Sequence, residues 1–281
     1  MKYILLMLTS VFVISCGGDA VSEKILDEVI QEVKATKTPN DKLRDAYQLF
    51  KEGDDKGSIQ LANEVLELGR QTNNDTLIGG ALTSLCRNAQ RSLDTIRLAE
   101  LSSELINLSE SSGDKKWMMY RAHMNAEMWR LIGNMDKAES FYDESMEISL
   151  ALNARGMYTI DHFNKSFVST AKGNYQDAND LILRYYELRK EDSGKVEDAY
   201  GLIALAYLLE QQKNYEGAHE VATVTRRLFE EQNLFPEPPD EKPLIAVEEE
   251  VKAELDAEKY EKINTNAATQ TVSSLLDKYL K

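Results

Sequence analysis

Three short segments in the middle of the chain carry one pattern at a fixed spacing. Each begins with a turn-forming pair and ends in an alanine, and the segments are Gly133–Ala138, Gly173–Ala178 and Lys213–Ala218. The three alanines lie 40 residues apart. Self-similarity at periods of about 20–50 residues predicts that each unit is one supersecondary element and that stacked units bury a continuous core. The chain is therefore expected to fold as a repeat array.

Two fainter units extend the pattern toward the N-terminus. Ala99 lies 39 residues before Ala138, and Ser58 lies another 41 residues before Ala99. Residues 40–233 are thus predicted to form a domain of about five repeats, the first of which matches least well.

The repeats are predicted to be helical. No proline occurs between Asn40 and Phe235, so no proline ring interrupts a helix there. Apolar residues recur at spacings of three and four, the period of one helix face, as in Leu43, Ala46 and Phe50. Since no sustained alternation of polar and apolar residues indicates a strand, the sequence predicts an all-α protein.

The repeated pattern suits the junction between two antiparallel helices. Glycine or asparagine ends a helix in the left-handed conformation that other residues avoid. The alanine then lets two helices approach closely. Ala126 and Ala206, each 12 residues before a repeat alanine, are expected to form the other side of this contact.

These motifs resemble the tetratricopeptide repeat (TPR), in the longer forty-residue variety found in peptide-sensing regulators and cargo adaptors. The resemblance implies an α-α superhelical solenoid of about five TPR-like hairpins whose first helices line a concave groove. The proline that usually closes the second helix in this family is missing from every unit. A globular helical bundle is the alternative, although a bundle does not predict regular self-similarity.

The first sixteen residues form a second clear pattern. Lys2 precedes an apolar run from Tyr3 to Ile14, which is followed by Ser15 and Cys16. Such a start is typical of a secretory signal, and the run is shorter than the roughly 20 residues that span a bilayer. Its ending resembles a bacterial lipobox, which implies that residues 1–15 are a signal peptide and that Cys16 carries lipid such as palmitate. A signal with an incidental cysteine, or a buried N-terminal helix, is the alternative.

The lipobox implies a place in the cell envelope and a membrane attachment through Cys16. Gly17 follows that cysteine, which in a Gram-negative bacterium favours the outer membrane, with the protein facing the periplasm. Residues 16–39 are predicted to comprise the lipidated cysteine, a tether and a short amphipathic helix within 22–35. Residues 234–281 are predicted to be a Pro-rich linker with capping helices near 241–262 and 267–280, since a solenoid needs a polar cap.

The acidic composition restricts the partners. A net charge of −15 disfavours nucleic acid, whose phosphates are bound by lysine and arginine. Cys86 has no disulfide partner once Cys16 is lipidated, and its partly apolar, helical surroundings predict a buried side chain. His123 and His162 lie 39 residues apart and could face one surface, but no third ligand for a metal is evident, so no metal site is predicted.

Asparagines and aromatic residues of the first helices are the candidates for binding. Amides spaced by one repeat can bond the backbone of an extended peptide, and aromatic side chains provide contact area. The predicted groove residues are Tyr120, His123, Asn125, His162, Asn164, Phe167, Tyr200 and Tyr207. The alternatives are a solvated face for the asparagines and a core position for Phe167.

No catalytic motif is apparent. The chain contains no Gly-rich phosphate loop, HExxH, GxSxG or CxxC, and no carboxylate is expected in an apolar setting that would raise its pKa. We therefore expect a non-enzymatic, cofactor-free scaffold or adaptor that binds another protein or a peptide. The alternatives are an envelope sensor that binds a small ligand or peptide in the groove, and a structural spacer.

Overall fold

A computed structural model describes residues 37–193 and 198–280 of the chain. These ranges contain thirteen α-helices and no strand. The first ten helices are α1 Pro39–Glu52, α2 Asp55–Thr72, α3 Asp75–Arg91, α4 Thr95–Ser112, α5 Lys115–Ile132, α6 Met135–Ala151, α7 Arg155–Ala171, α8 Tyr175–Ser193, α9 Ala199–Gln211 and α10 Tyr215–Glu231. The last three are α11 Pro238–Glu254, α12 Ala257–Ala267 and α13 Val272–Tyr279. The predicted lipidation site at Cys16 and the predicted helix within 22–35 lie outside the described residues.

The first ten helices pack as five successive hairpins. Each odd-numbered helix from α1 to α9 packs against the even-numbered helix that follows it. The first helices also pack side by side, with α1 against α3, α3 against α5, α5 against α7 and α7 against α9. The predicted all-α solenoid of helical hairpins is therefore confirmed, because a globular bundle would not repeat the same contacts in chain order.

The repeat is strictly regular in all five hairpins. The fourth residue of each second helix is fully buried, and these residues, spaced by 40, are Ser58, Leu98, Ala138, Ala178 and Ala218. In the second hairpin the expected repeat position, Ala99, was wrong by one residue. Asp94 caps this helix by accepting a hydrogen bond from the N–H of Arg97, which places Leu98 rather than Ala99 at the buried position.

A second set of equivalent positions explains the single described cysteine. Small side chains occur every 40 residues on the first helices, and all five have 0% exposure: Ala46, Cys86, Ala126, Ser166 and Ala206. They allow the two helices of each hairpin to approach closely. Cys86 is thus one of five small contact residues and is buried as predicted; its burial raises the pKa of the thiol to about 12.

The turns between paired helices use left-handed residues, as the repeated pattern predicts. Gly133 and Gly173 have φ of +89° and +78°, respectively. In the fifth hairpin the same position is Lys213, with φ of +61°. A side chain in this conformation is strained, at a cost of roughly 1–2 kcal/mol.

The C-terminal region contains three helices where two were predicted. Pro238 and Pro239 occupy the first positions of α11, where a missing N–H is tolerated, so the helix begins earlier than residue 241. Leu255 is extended and ends α11, and Asp256 then caps α12 by accepting a hydrogen bond from the N–H of Lys259. The predicted single helix near 241–262 is therefore divided at Leu255.

The C-terminal helices cover the end of the solenoid and also reach back along it. Helix α11 packs against α9 and α10 through the buried residues Leu244, Val247 and Val251, and α12 packs against α10. The start of α11 additionally contacts α3. Consequently, residues near the start of α11 meet the first helices of much earlier hairpins.

Candidate interaction surface

One position on each first helix defines a row of side chains along the solenoid. The position comes directly after the small buried contact residue of each first helix, such as Cys86 or Ala126, and it recurs every 40 residues. We define the inner face by these five residues: Tyr47, Arg87, Glu127, Phe167 and Tyr207. The Arg87 guanidinium lies 5.2 Å from the ring centroid of Tyr47, and the rings of Phe167 and Tyr207 stack with centroids 5.9 Å apart.

The middle of the inner face contains a fully buried carboxylate. Glu127 accepts hydrogen bonds from Gln90 Nε2 at 2.6 Å, from Arg130 Nη2 at 2.8 Å and from the hydroxyl of buried Tyr142. Burial opposes ionisation of Glu127, but Arg130, His123 and the hydrogen bonds outweigh it and lower its pKa below the ordinary value. A buried carboxylate requires this degree of compensation to remain charged.

A second buried pair lies next to Glu127. His123 Nδ1 is 2.7 Å from Asp161 Oδ1, and both residues are buried. Burial lowers the pKa of His123, but the Asp161 carboxylate outweighs this effect and the pKa lies above its ordinary value. The other oxygen, Asp161 Oδ2, is buried and has no hydrogen-bond partner among the described residues. Unpaired polar atoms of this kind are uncommon in protein interiors.

Residues Phe235–Asp240, which we name the crossing segment, meet the first helices of three hairpins. The hydroxyl of Tyr200 donates a hydrogen bond of 3.1 Å to the backbone carbonyl of Phe235. Glu237 Oε1 accepts a hydrogen bond of 3.2 Å from Arg91 Nη2, 146 residues earlier in the chain. The segment thus joins α9 to α3 across the solenoid.

The last residue of the crossing segment contacts the buried cluster. Asp240 Oδ1 lies 4.0 Å from Arg130 Nη2, and its side chain is 17% exposed. Burial raises the pKa of Asp240 to about 7, since the attraction of Arg130 is offset by the neighbouring Glu127 and Glu237. The expectation that no carboxylate would have a raised pKa was therefore wrong, because α11 brings Asp240 into an interior that the local sequence does not reveal.

The structure places three of the four predicted aromatic residues around this region. Phe167 is 5% exposed and belongs to the hydrophobic core of the later hairpins, the alternative position given for it above. The Arg130 guanidinium lies 5.5 Å from its ring centroid, and Tyr207 stacks on it. Tyr200 contacts the crossing segment. Tyr120 instead packs beside Trp117 against the core of the early hairpins, with ring centroids 6.0 Å apart.

The predicted polar residues do not form an open ladder of amides. Asn125 donates its amide hydrogen bond to the carbonyl of Arg121 on its own helix, at 2.9 Å. Asn164 is buried, as is His123 beside Asp161. His162 Nδ1 donates to the carbonyl of Tyr158 at 2.7 Å, and burial lowers the pKa of His162.

His162 also lines a separate cleft of about 360 Å³ between α6, α7 and α8. The other residues of this cleft are Glu139, Lys165, Ser169, Asp177, Asp180, Leu181 and Arg184. Positive and negative side chains are mixed there, and the two predicted histidines have different partners. Across residues 37–193 and 198–280, no group of three or more histidine, cysteine or acidic side chains is arranged to hold a metal ion.

The charged residues of the region were not predicted from the sequence. Glu127 and Arg130 are three residues apart on a helix otherwise rich in methionine and aromatic residues, and this pairing is the signal that could have identified them. Arg91 gave no comparable signal, because its partner Glu237 lies far away in the sequence.

Comparison with models of known protein families finds no match, and no curated protein matches the chain. In the part of the chain that the structure describes, no helix has the length and apolar character required to cross a bilayer.

Proposed function

We propose that this chain is a non-enzymatic, TPR-like lipoprotein of the bacterial cell envelope whose inner face binds a segment of another protein. Lipid at Cys16 would attach it to a membrane, favouring the outer membrane and the periplasmic side. The repeats would then present the inner face to the partner. No cofactor enters this proposal.

One observation carries the proposal. A stretch of polypeptide, Phe235–Asp240, already lies against the first helices. Its non-helical part is bound by the Tyr200 hydroxyl at the Phe235 carbonyl and by Arg91 at Glu237, and its last three residues form the first turn of α11. Tyrosine and arginine are enriched among the residues that contribute most to protein interfaces. Tyr200 and Arg91 lie seven and four residues from the inner-face positions of their helices, so side chains that recognise a backbone carbonyl and a carboxylate adjoin the inner face.

The second candidate is a sensor of a small ligand. It is favoured by Asp161 Oδ2, a buried carboxylate oxygen that has no hydrogen-bond partner in the described part of the chain and could accept a hydrogen bond from a ligand. A ligand of the folded state stabilises it by RT ln(1 + [L]/Kd). Low-molecular-weight periplasmic extract should then raise the melting temperature of the wild type but not of an Asp161→Asn variant.

Site-specific photocrosslinking in native membranes tests the scaffold proposal. A photoreactive amino acid replaces Tyr47 or Tyr207 on the inner face, and Leu150, which is 62% exposed on the second helix α6, is the control. We expect one and the same protein to be crosslinked from both inner-face positions and not from position 150. Equal capture from all three positions, or capture only from position 150, would refute binding by the inner face.

The lipid attachment is tested separately. A Cys16→Ser variant should move from the membrane fraction to the soluble fraction, and mass spectrometry of the wild type should find acylated cysteine at the mature N-terminus. A wild-type chain that retains residues 1–15 without lipid would contradict this part of the proposal.

A further inference from the structure

We infer that the surface formed by Tyr200, Arg91 and Arg130 selects acidic, proline-containing extended segments of partner proteins, and that the crossing segment Phe235–Asp240 is its resident occupant. Tyr200, Arg91 and Arg130 lie seven, four and three residues from inner-face positions of their helices, so they adjoin the inner face. The inference rests on the proposed function, since it names the class of segment that binds there. A partner segment would displace the resident one.

The chemistry of the resident segment indicates what the surface recognises. Its sequence contains three prolines and two acidic residues between Phe235 and Asp240. Pro236 precedes α11 and Pro238 and Pro239 begin it, and the fixed φ of each proline leaves little conformational entropy to lose on binding. Tyr200 donates a hydrogen bond to a backbone carbonyl, and Arg91 donates one to a carboxylate. The surface therefore recognises the backbone and the negative charge of a segment rather than an apolar side chain.

The binding side is preorganised independently of the segment. Arg91 also donates hydrogen bonds to the Phe50 carbonyl and to Asp55 Oδ1 at 2.9 Å, and its guanidinium lies 3.4 Å from the centroid of the Phe50 ring. Glu127 likewise orients Arg130. Both arginines therefore keep their orientation when the segment leaves, as expected of a binding site.

The non-helical part of the segment, Phe235–Glu237, is held weakly compared with α11, which begins at Pro238. The Phe235 side chain is 79% exposed, so apolar burial contributes little at this end of the segment. In contrast, α11 is anchored farther along by Leu244, Val247 and Val251, which are fully buried. The non-helical residues Phe235–Glu237 can consequently detach while α11, whose first turn contains the buried Pro239, remains packed on α9 and α10.

The resident occupant also fits the surface imperfectly. Asp240 lies 4.0 Å from Arg130, beyond hydrogen-bonding distance, and shares its surroundings with Glu127 and Glu237. A partner segment that places one carboxylate on Arg91 and an uncharged acceptor near Arg130 avoids this repulsion. Since the whole chain carries a charge of −15, recognition of such a segment depends on these local arginines rather than on long-range attraction.

A peptide-binding experiment with the full chain in detergent tests the inference. The probe is a fluorescein-labelled peptide with the sequence of residues 233–242, titrated by fluorescence anisotropy. The affinity of the peptide is measured for three proteins: the wild type, a Glu237→Lys variant and a Glu249→Lys control. In Glu237→Lys, the resident segment places a positive charge opposite Arg91. Glu249 is exposed on α11, the helix that follows Glu237. The control therefore makes the same change in net charge away from Arg91.

We expect the peptide to bind Glu237→Lys at least tenfold more tightly than wild type or Glu249→Lys, because the resident segment no longer competes. A peptide with lysine in place of the glutamate at position 237 should lose at least tenfold in affinity. Equal affinities for the three proteins, or equal binding of the two peptides, would overturn the inference. Absence of binding to a Glu237→Lys protein with wild-type circular dichroism would overturn it as well.

This result separates the inference from the proposed function. If the peptides fail while crosslinking from Tyr47 and Tyr207 still captures one partner, the inner face is a binding surface but does not select acidic segments. If the peptides behave as expected while crosslinking is not specific to the inner face, the resident segment is displaceable but the proposed scaffold function fails.

Discussion

Replacing Asp240 by asparagine should stabilise the protein at neutral and alkaline pH and leave it nearly unchanged in acid. Asp240 lies beside Arg130, yet burial and the neighbouring Glu127 and Glu237 raise its pKa to about 7. The ordinary value is 3.8. Because the folded protein binds this proton more tightly than the unfolded chain, the carboxyl group destabilises the fold progressively as the pH rises from about 4 to about 7.

The size of the effect follows from the difference between the two pKa values. Each pKa unit corresponds to about 1.36 kcal/mol, so the rise from 3.8 to about 7 corresponds to about 4 kcal/mol at pH 8 and about 1 kcal/mol at pH 4.5. Asparagine has the same shape and no charge, so it removes this linkage. The advantage of Asp240→Asn should therefore grow by about 3 kcal/mol between pH 4.5 and pH 8.

Urea unfolding followed by circular dichroism at both pH values measures this quantity. The difference between variant and wild type is the informative number, because buried groups with a lowered pKa, such as Glu127, give both proteins the opposite pH dependence. An Asp240→Asn variant that is less stable than wild type at pH 8, or whose advantage is the same at pH 4.5 and 8, would refute the reasoning. The first result would mean that the attraction of Arg130 dominates.

Three other predictions test the packing. Lys213→Gly should stabilise the fold by about 1 kcal/mol in urea unfolding, since φ is +61° at this position. Gln212→Gly, at φ −80°, should destabilise it by about 0.5–1 kcal/mol. Free-energy changes of the same sign for both variants would contradict the assignment of strain to Lys213. Cys86, with its pKa raised to about 12, should react with a maleimide only after unfolding, and rapid labelling of the native protein would contradict its burial. Tyr142→Phe should cost about 1–3 kcal/mol and raise the pKa of Glu127, because a buried carboxylate loses a donor; a neutral result would mean that another donor replaces the hydroxyl.

The hairpin architecture was predictable because its determinants are local and periodic. Turn residues such as Gly133 and small residues such as Ala126 recur at the repeat spacing, and each specifies a junction between helices that are adjacent in the chain. The second hairpin shows the limit of this reasoning. There the alignment relied on alanine, and the buried position accepts the larger Leu98.

The candidate site was much less predictable, because its contacts are between distant parts of the chain. The segment that contacts Arg91 is separated from it by 146 residues, and no repeat relates the two. Aromatic residues at Phe167 and Tyr207 were identified from their position in the repeat. The contact between Asp240 and Arg130 was not predicted, because it depends on how α11 packs back against the earlier hairpins.

The contact between Arg91 and Glu237 changes how the array can come apart. In an ordinary solenoid each unit touches only its neighbours, so the ends can fray independently and stability is close to a sum over units and their interfaces. Here a bond between α3 and the start of α11 closes a ring that includes every helix from α4 to α10. Pulling on the C-terminus would first detach the three C-terminal helices from α9 and α10, and only after the contact between Arg91 and Glu237 also opened would the hairpins separate one by one.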